Sequence, residues 1–141
     1  ELLAAIAPVA AALGVDDQDC QPARVVPVRH FHGTEDGTVP MTGRDGQRGV
    51  REGLDHLSEL AGCTGDWQES YRQGAAHCER REGCPARMAL ELCLGEGGGH
   101  CWPGQAPLGL CFGVGAAMPD LNANDLIWEF FSQHAREDPR P

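Results

Sequence analysis

The chain contains no lysine; its 11 basic residues are all arginine, against 21 acidic residues. A GC-rich coding sequence accounts for that skew without a functional demand. No run of 18 or more apolar residues occurs, so no segment reads as a membrane-spanning helix. The start, Glu1-Leu2-Leu3, has neither an initiator methionine nor a basic stretch before an apolar one, so a signal peptide of the parent protein is expected outside this chain. No glycine pattern follows a strand and opens a helix, because GEGGG leads into His and Pro, and no dinucleotide cofactor is expected. The formal net charge of -10 and pI near 4.9 argue against nucleic acid or an anionic membrane as partner, since both would repel the chain. A neutral ester is compatible with that charge.

A length of 141 residues with 41% hydrophobic content suits one domain with a core. Seven cysteines in a chain this size point to an oxidising compartment, hence a secreted or periplasmic protein. The organising stretch is GEGGGHCWPG, Gly95 to Gly104. There an apolar run, MALELCL, reads as a buried strand and breaks into Gly97-Gly98-Gly99, which leaves His100 on a loop just past the strand end. Upstream, in HFHGTEDGTVP, the strand Val25 to Phe31 ends in His-Gly-Thr and then offers Asp36. An acid after one strand and a histidine after another are two thirds of a hydrolase triad. The plainer alternative is that His100 satisfies a turn and Asp36 caps one.

In this order the two motifs resemble the C-terminal half of an α/β-hydrolase of the poly(3-hydroxybutyrate) depolymerase and feruloyl esterase type. The resemblance runs through AAIAPVA, VPVRHFHGTEDGTVP, Gly62-Cys63, Gly83-Cys84, GGGHCWPG and NANDLIWEFF, nearly the whole chain. It implies a partial α/β-hydrolase fold: a mostly parallel sheet flanked by helices, with only the C-terminal strands and helices present. Residues 1–141 would be the C-terminal portion of one catalytic domain. The family's nucleophile sits in a Gly-x-Ser-x-Gly elbow just before a segment like ELLAAIAPVA. Here the only serines, Ser58, Ser70 and Ser132, lack the flanking glycines, so the chain is expected to be a fragment that begins after the nucleophile and hydrolyses no ester alone. The implied parent is a serine esterase acting on a polyester or a plant cell-wall phenolic ester. His100 would be its general base and acid, and Asp36 the orienting carboxylate. The resemblance also pairs Cys63 with Cys84 as a disulfide.

Other residues enter with weaker claims. Asp45 lies further from a strand end than Asp36, and Asp55 lies in a predicted helix. His32 reads as a strand-end side chain that orients the acid loop, while His30, His56, His77 and His134 carry no motif. Trp102, fixed by Pro103, offers a broad apolar face that could wall a substrate cleft or pack under the loop. Connectivity among Cys20, Cys78, Cys93, Cys101 and Cys111 does not follow from spacing, although Cys93 or Cys101 could pair with Cys111. A zinc site from His77, Cys78, Cys84 and Cys101 lacks the short Cys-x-x-Cys knuckle, so no metal is expected.

For the remaining elements, the IAPVA core reads as a strand within Ala5–Ala10, and VDDQDCQPAR as a surface loop. Val50, Leu54, Leu57 and Leu60-Ala61 recur at helical spacing up to Gly62, and Asn122 with Asp125 opens a second helix whose apolar face is Leu126, Ile127, Phe130 and Phe131. Thr64 to Gly83 reads as a loop with one short strand, QAPLGLCFGVGAAMP as a loop beside the site, and AREDPRP as a frayed tail. An acetyl xylan esterase or a peptidase on the same fold, or a noncatalytic cysteine-rich secreted binding domain, remain the competing functions.

Overall fold

The computed structural model of the chain describes residues 3–14, 19–104, 111 and 115–135. Most of QAPLGLCFGVGAAMP and nearly all of the AREDPRP tail lie outside the described residues, as does part of the VDDQDCQPAR loop. Four strands and two helices follow in the order β1 (Val28–Gly33), α1 (Val50–Ala61), β2 (Trp67–Gln73), β3 (Ala76–Arg81), β4 (Leu90–Gly95) and α2 (Ala123–Gln133). The strands form one sheet in the order β1-β4-β3-β2.

Alternation along the strands sorts side chains to two faces. Val28, Leu90, Leu92 and Leu94 pack with Val50 and Leu54 of α1 on one face. Phe31, Cys78 and Cys93 pack with Leu121 and Ala123, at and before the start of α2, on the other. The parallel neighbours β1 and β4 are buried along their whole length, with a helix packed on each face. Each leucine buried this way contributes about 2 kcal/mol. The helix α1 ends where Gly62 takes the left-handed conformation at φ 77° and donates to Glu59 and Ser58 carbonyls, and α2 starts where the Asn122 side chain accepts from the Asp125 amide.

The mostly parallel sheet implied by the resemblance is not what forms. Only β1 and β4 make a parallel pair of strands; β4 with β3 and β3 with β2 are antiparallel, so this is a small mixed sheet and not the parallel sheet of an α/β-hydrolase. The reason lies in the polar stretch read as a loop. Gln73 pairs with Ala76 across Gly74-Ala75, and a connection this short can only reverse the chain. Gly74 takes φ 55°, the positive value that the first central residue of a type II′ hairpin turn requires. The IAPVA segment contributes only isolated parallel bridges, Ile6 to Val28 and Val9 to Phe31, instead of a full strand. Pro8 lacks an N–H and offers only its carbonyl, which accepts from the Phe31 amide at 2.9 Å.

Three disulfides staple these elements: Cys63–Cys84 joins the end of α1 to the stretch after β3, Cys78–Cys93 links paired residues of β3 and β4, and Cys101–Cys111 closes the loop after His100. Cys20 is a buried free thiol. On the α2 face, Arg29, Glu91 and Arg80 stand in register across β1, β4 and β3. Glu91, 1% exposed, accepts from Arg29 Nε and, at 2.8 Å, from Arg80 Nε. Arg29 also donates to the Leu126 carbonyl of α2 at 2.7 Å and lies over the Phe130 ring. Removing one member of a buried ion pair strands the other without solvation. Glu91→Gln is therefore expected to destabilise the protein by about 3–5 kcal/mol, measured by urea denaturation, whereas a change under about 0.5 kcal/mol would show that the cluster is solvated.

Candidate active site

The parallel pairing of β1 with β4 sets the site. Its register aligns His32 with Leu94 and Gly33 with Gly95, so both strands end level and the loops leaving them meet beyond their carboxyl ends. Those loops are then sewn together. The Thr34 amide donates to the Gly95 carbonyl at 3.1 Å, the Glu35 amide to the Gly98 carbonyl at 2.8 Å, and the Gly97 amide to Thr34 Oγ1 at 2.8 Å. This approach needs Gly33 bare. A Cβ there would stand 2.5 Å from the Gly99 carbonyl oxygen and closer still to the Gly98 carbonyl. At Gly98 the Met118 side chain packs where a Cβ would lie.

The stitched loops bring Asp36 and His100 together: His100 Nδ1 lies 2.8 Å from Asp36 Oδ2. The other carboxylate oxygen, Oδ1, accepts from the amides of Thr38 and Val39, both at 2.8 Å. Asp36 is 3% exposed, and burial alone would push its carboxyl upward. The Val39 amide, His100 and the Thr38 amide outweigh that and hold it below the usual carboxylate range. The His100 side chain is 33% exposed, at the rim of the site. With Nδ1–H directed to the carboxylate, Nε2 is the nitrogen left to exchange a proton with a reacting group.

Beneath this pair lie two buried histidines. His32 Nε2 is 2.8 Å from the Val39 carbonyl and 3.5 Å from Asp36 Oδ2, and its Nδ1 is 3.1 Å from His30 Nε2, with the two rings stacked. Burial, with the neighbouring His32 ring, lowers His30 to about 3. Burial also lowers His32, against the opposing pull of the Val39 carbonyl and Asp36. Sequence reading gave His30 no role; its only trace was its place two residues before His32, on the same face of β1.

The other candidates fall elsewhere. Asp45 is exposed in a turn, and Asp55 accepts from Trp67 Nε1 at 2.8 Å. Trp102, 42% exposed, donates from Nε1 to Asn124 of α2 at 3.1 Å, which holds its indole against the first turn of that helix. Cys63 and Cys84 are bonded to each other at the far end of α1. Cys78, Cys84 and Cys101 all sit in disulfides, so none is a thiolate ligand. Among the described residues no group of three or more His, Cys, Asp or Glu side chains is arranged to hold a metal.

A buried carboxylate bonded to a loop histidine beyond the ends of two parallel strands matches in geometry the acid and base of nucleophilic hydrolases. Among known proteins, feruloyl esterase B of Piromyces equi is 31% identical to the chain over 112 residues, covering 71% of the chain and 20% of that protein. The chain spans about a fifth of the length of the curated relative it matches, and is a distant, partial homologue of an esterase. No family model matches it.

Two expectations follow. Gly33→Ala forces the loops apart and should cost about 3 kcal/mol, whereas Gly37→Ala, with open space around it, should stay within about 0.5 kcal/mol; urea denaturation of both variants checks the contrast. The second concerns pH. An unfolded histidine protonates near 6.5, but His30 in the fold resists protonation until about 3. Acidification through that window therefore favours the unfolded chain, on the order of 1 kcal/mol per pH unit. Asp36, with its folded value depressed, contributes stability present above the unfolded carboxylate value of 3.8 and lost as pH falls through the folded one. Stability should thus fall steadily from pH 6.5 downward, and His30→Phe should flatten that slope in a pH series of thermal melts.

Proposed function

We propose that Asp36 and His100 are the orienting acid and the general base of a serine-type carboxylic ester hydrolase. The 2.8 Å contact from His100 Nδ1 to Asp36 Oδ2 carries this reading, and the partial homology to an esterase supports it. The carboxylate holds the imidazole in the tautomer with its proton on Nδ1. Nε2 then takes the proton of the nucleophilic hydroxyl as it attacks the ester carbonyl, and returns it to the departing alkoxide. In the second half-reaction Nε2 takes a proton from water as the water oxygen attacks the acyl carbonyl, and returns it to the serine oxygen as the acyl–oxygen bond breaks and the acid leaves.

The hydroxyl comes from outside these 141 residues. Ser58 is fully buried in α1, Ser70 donates to the Cys78 carbonyl at 3.3 Å, and Ser132 donates to the Trp128 carbonyl at 2.7 Å. The rest of the parent domain would supply the serine and the oxyanion donors, and these residues alone hydrolyse no ester. The name of the relative favours a phenolic ester of the feruloyl type over a polyester. Trp102, two residues beyond His100 and partly exposed, would offer an apolar face to such an aromatic acyl group. The disulfides fit a secreted enzyme.

The test is hydrolysis of a methyl ferulate and acetyl ester panel, with an amide analogue to expose a peptidase, by the full-length protein. His100→Ala should lower kcat by about 10³-fold or more, and Asp36→Asn by about 10⁴-fold, because the wrong tautomer then faces the serine. Ester hydrolysis by the isolated 141-residue chain that His100→Ala abolishes would place the nucleophile among its own residues and contradict the reading.

A further inference from the structure

We propose that His32 is a positioning residue for the Asp36–His100 pair, and that His30 sets the tautomer in which His32 can do so. The effect on rate rests on the esterase reading; the effect on geometry does not.

The hydrogen-bond chain determines where the protons sit. The Val39 carbonyl can only accept, so His32 Nε2, at 2.8 Å, carries a proton. Burial keeps the ring neutral, which leaves Nδ1 of His32 as a lone pair. That lone pair is 3.1 Å from His30 Nε2, so His30 must donate. His30 is itself neutral, and its single proton therefore sits on Nε2. In this arrangement the Nε2 proton of His32 faces both the Val39 carbonyl and, at 3.5 Å, Asp36 Oδ2, the oxygen that accepts from His100. Val39 in turn donates its amide to the other oxygen of Asp36. His32 thus grips the loop that fixes the carboxylate from beneath.

The other tautomer would reverse each of these. A lone pair on His32 Nε2 would face the Val39 oxygen and the carboxylate, two acceptors with no proton between them, and would drive the acid loop off the strand end. His30 prevents this, since its Nε2–H can meet only an unprotonated Nδ1. The ionisable groups acting on His32 are His30 on its own strand, Asp36 on the loop after it and His100 on the loop after β4. The residues that β4 and α1 bring to this face, Leu92, Leu94, Val50 and Leu54, carry no charge. Among the described residues His30 is the partner of His32 Nδ1.

The deciding measurement is long-range ¹H–¹⁵N NMR of the full-length protein labelled in histidine. Wild type should show His30 and His32 as neutral Nε2–H tautomers at pH 7, with a hydrogen-bonded Nδ1 proton on His100. In His30→Phe, His32 should become a mixture of tautomers and the His100 Nδ1 proton should lose most of its intensity. His32→Phe should do the same, while His32→Gln, whose amide can still donate to the Val39 carbonyl, should retain it. In the esterase assay kcat should fall about 10–100-fold in the two Phe variants, with KM within about twofold, as expected when a reacting group is displaced but binding is intact. Finding wild-type His32 as the Nδ1–H tautomer overturns the proposal without any variant, even if His32→Phe fails to fold. An unchanged His100 proton in a folded His32→Phe protein also overturns it. Should the NMR changes appear while the wild-type protein hydrolyses no ester, the positioning role stands and the esterase reading fails.

Discussion

The close approach of the Gly33 backbone to Gly98 and Gly99 is the constraint on which the rest of the site depends. Two parallel strands that end in register supply two adjacent loops, but their backbones can touch only where neither carries a side chain. That contact sets the spacing between residues 64 apart in sequence, Asp36 and His100, to a hydrogen-bond distance. Met118 closes over the glycine loop from the other side. His100 is thereby held with Nδ1 on the Asp36 carboxylate while its side chain stays 33% exposed.

Low polarity around the pair gives the hydrogen bonds their strength. His30 lies among Val28, Val50 and Leu54 of the α1 face, and His30, His32 and Asp36 are all buried, so each is paired within the protein. The neutral histidine rings and the ionised carboxylate share one network, in which changing the proton on one ring would leave an unpaired acceptor on the next. The α2 face solves the same problem differently. Glu91 is neutralised by arginines on both neighbouring strands, and Arg29 extends the cluster to the backbone of α2, tying helix to sheet by charge as well as by packing. Neither cluster reaches the other, since alternation along β1 sends Arg29 and His30 to opposite faces.

Parts of this were legible in the sequence for identifiable reasons. Both helices announce themselves through spacing and ends: Val50, Leu54 and Leu57 before Gly62, and Asn122 with Asp125 before Leu126. The glycine run before His100 and the His-Gly-Thr before Asp36 placed those residues after strands. That the two strands are neighbours in step was not readable, because strand order is a property of the whole sheet. The β2–β3 hairpin was missed because Gln68, Glu69, Arg72 and Gln73 are solvent-facing and hide the alternation of a half-exposed strand; its one signal was Gly74-Ala75 between two runs of strand length. The parallel sheet was expected from the resemblance, and with the hairpin unread nothing in the chain spoke against it. Cys78–Cys93 was beyond reach for the same reason, since it depends on β3 pairing with β4 in register. Glu91 was passed over inside an apolar run, with nothing local to mark its partners on two other strands.

The central claim, that the Asp36–His100 pair activates a serine hydroxyl, is tested most directly by treating the full-length protein with a fluorophosphonate, which labels a serine only when an adjacent base activates it. Mass spectrometry of the labelled peptide then locates the residue. The account predicts one modified serine, outside these 141 residues, whose labelling disappears in His100→Ala. A modification on Ser58, Ser70 or Ser132, or labelling that persists undiminished without His100, would contradict it.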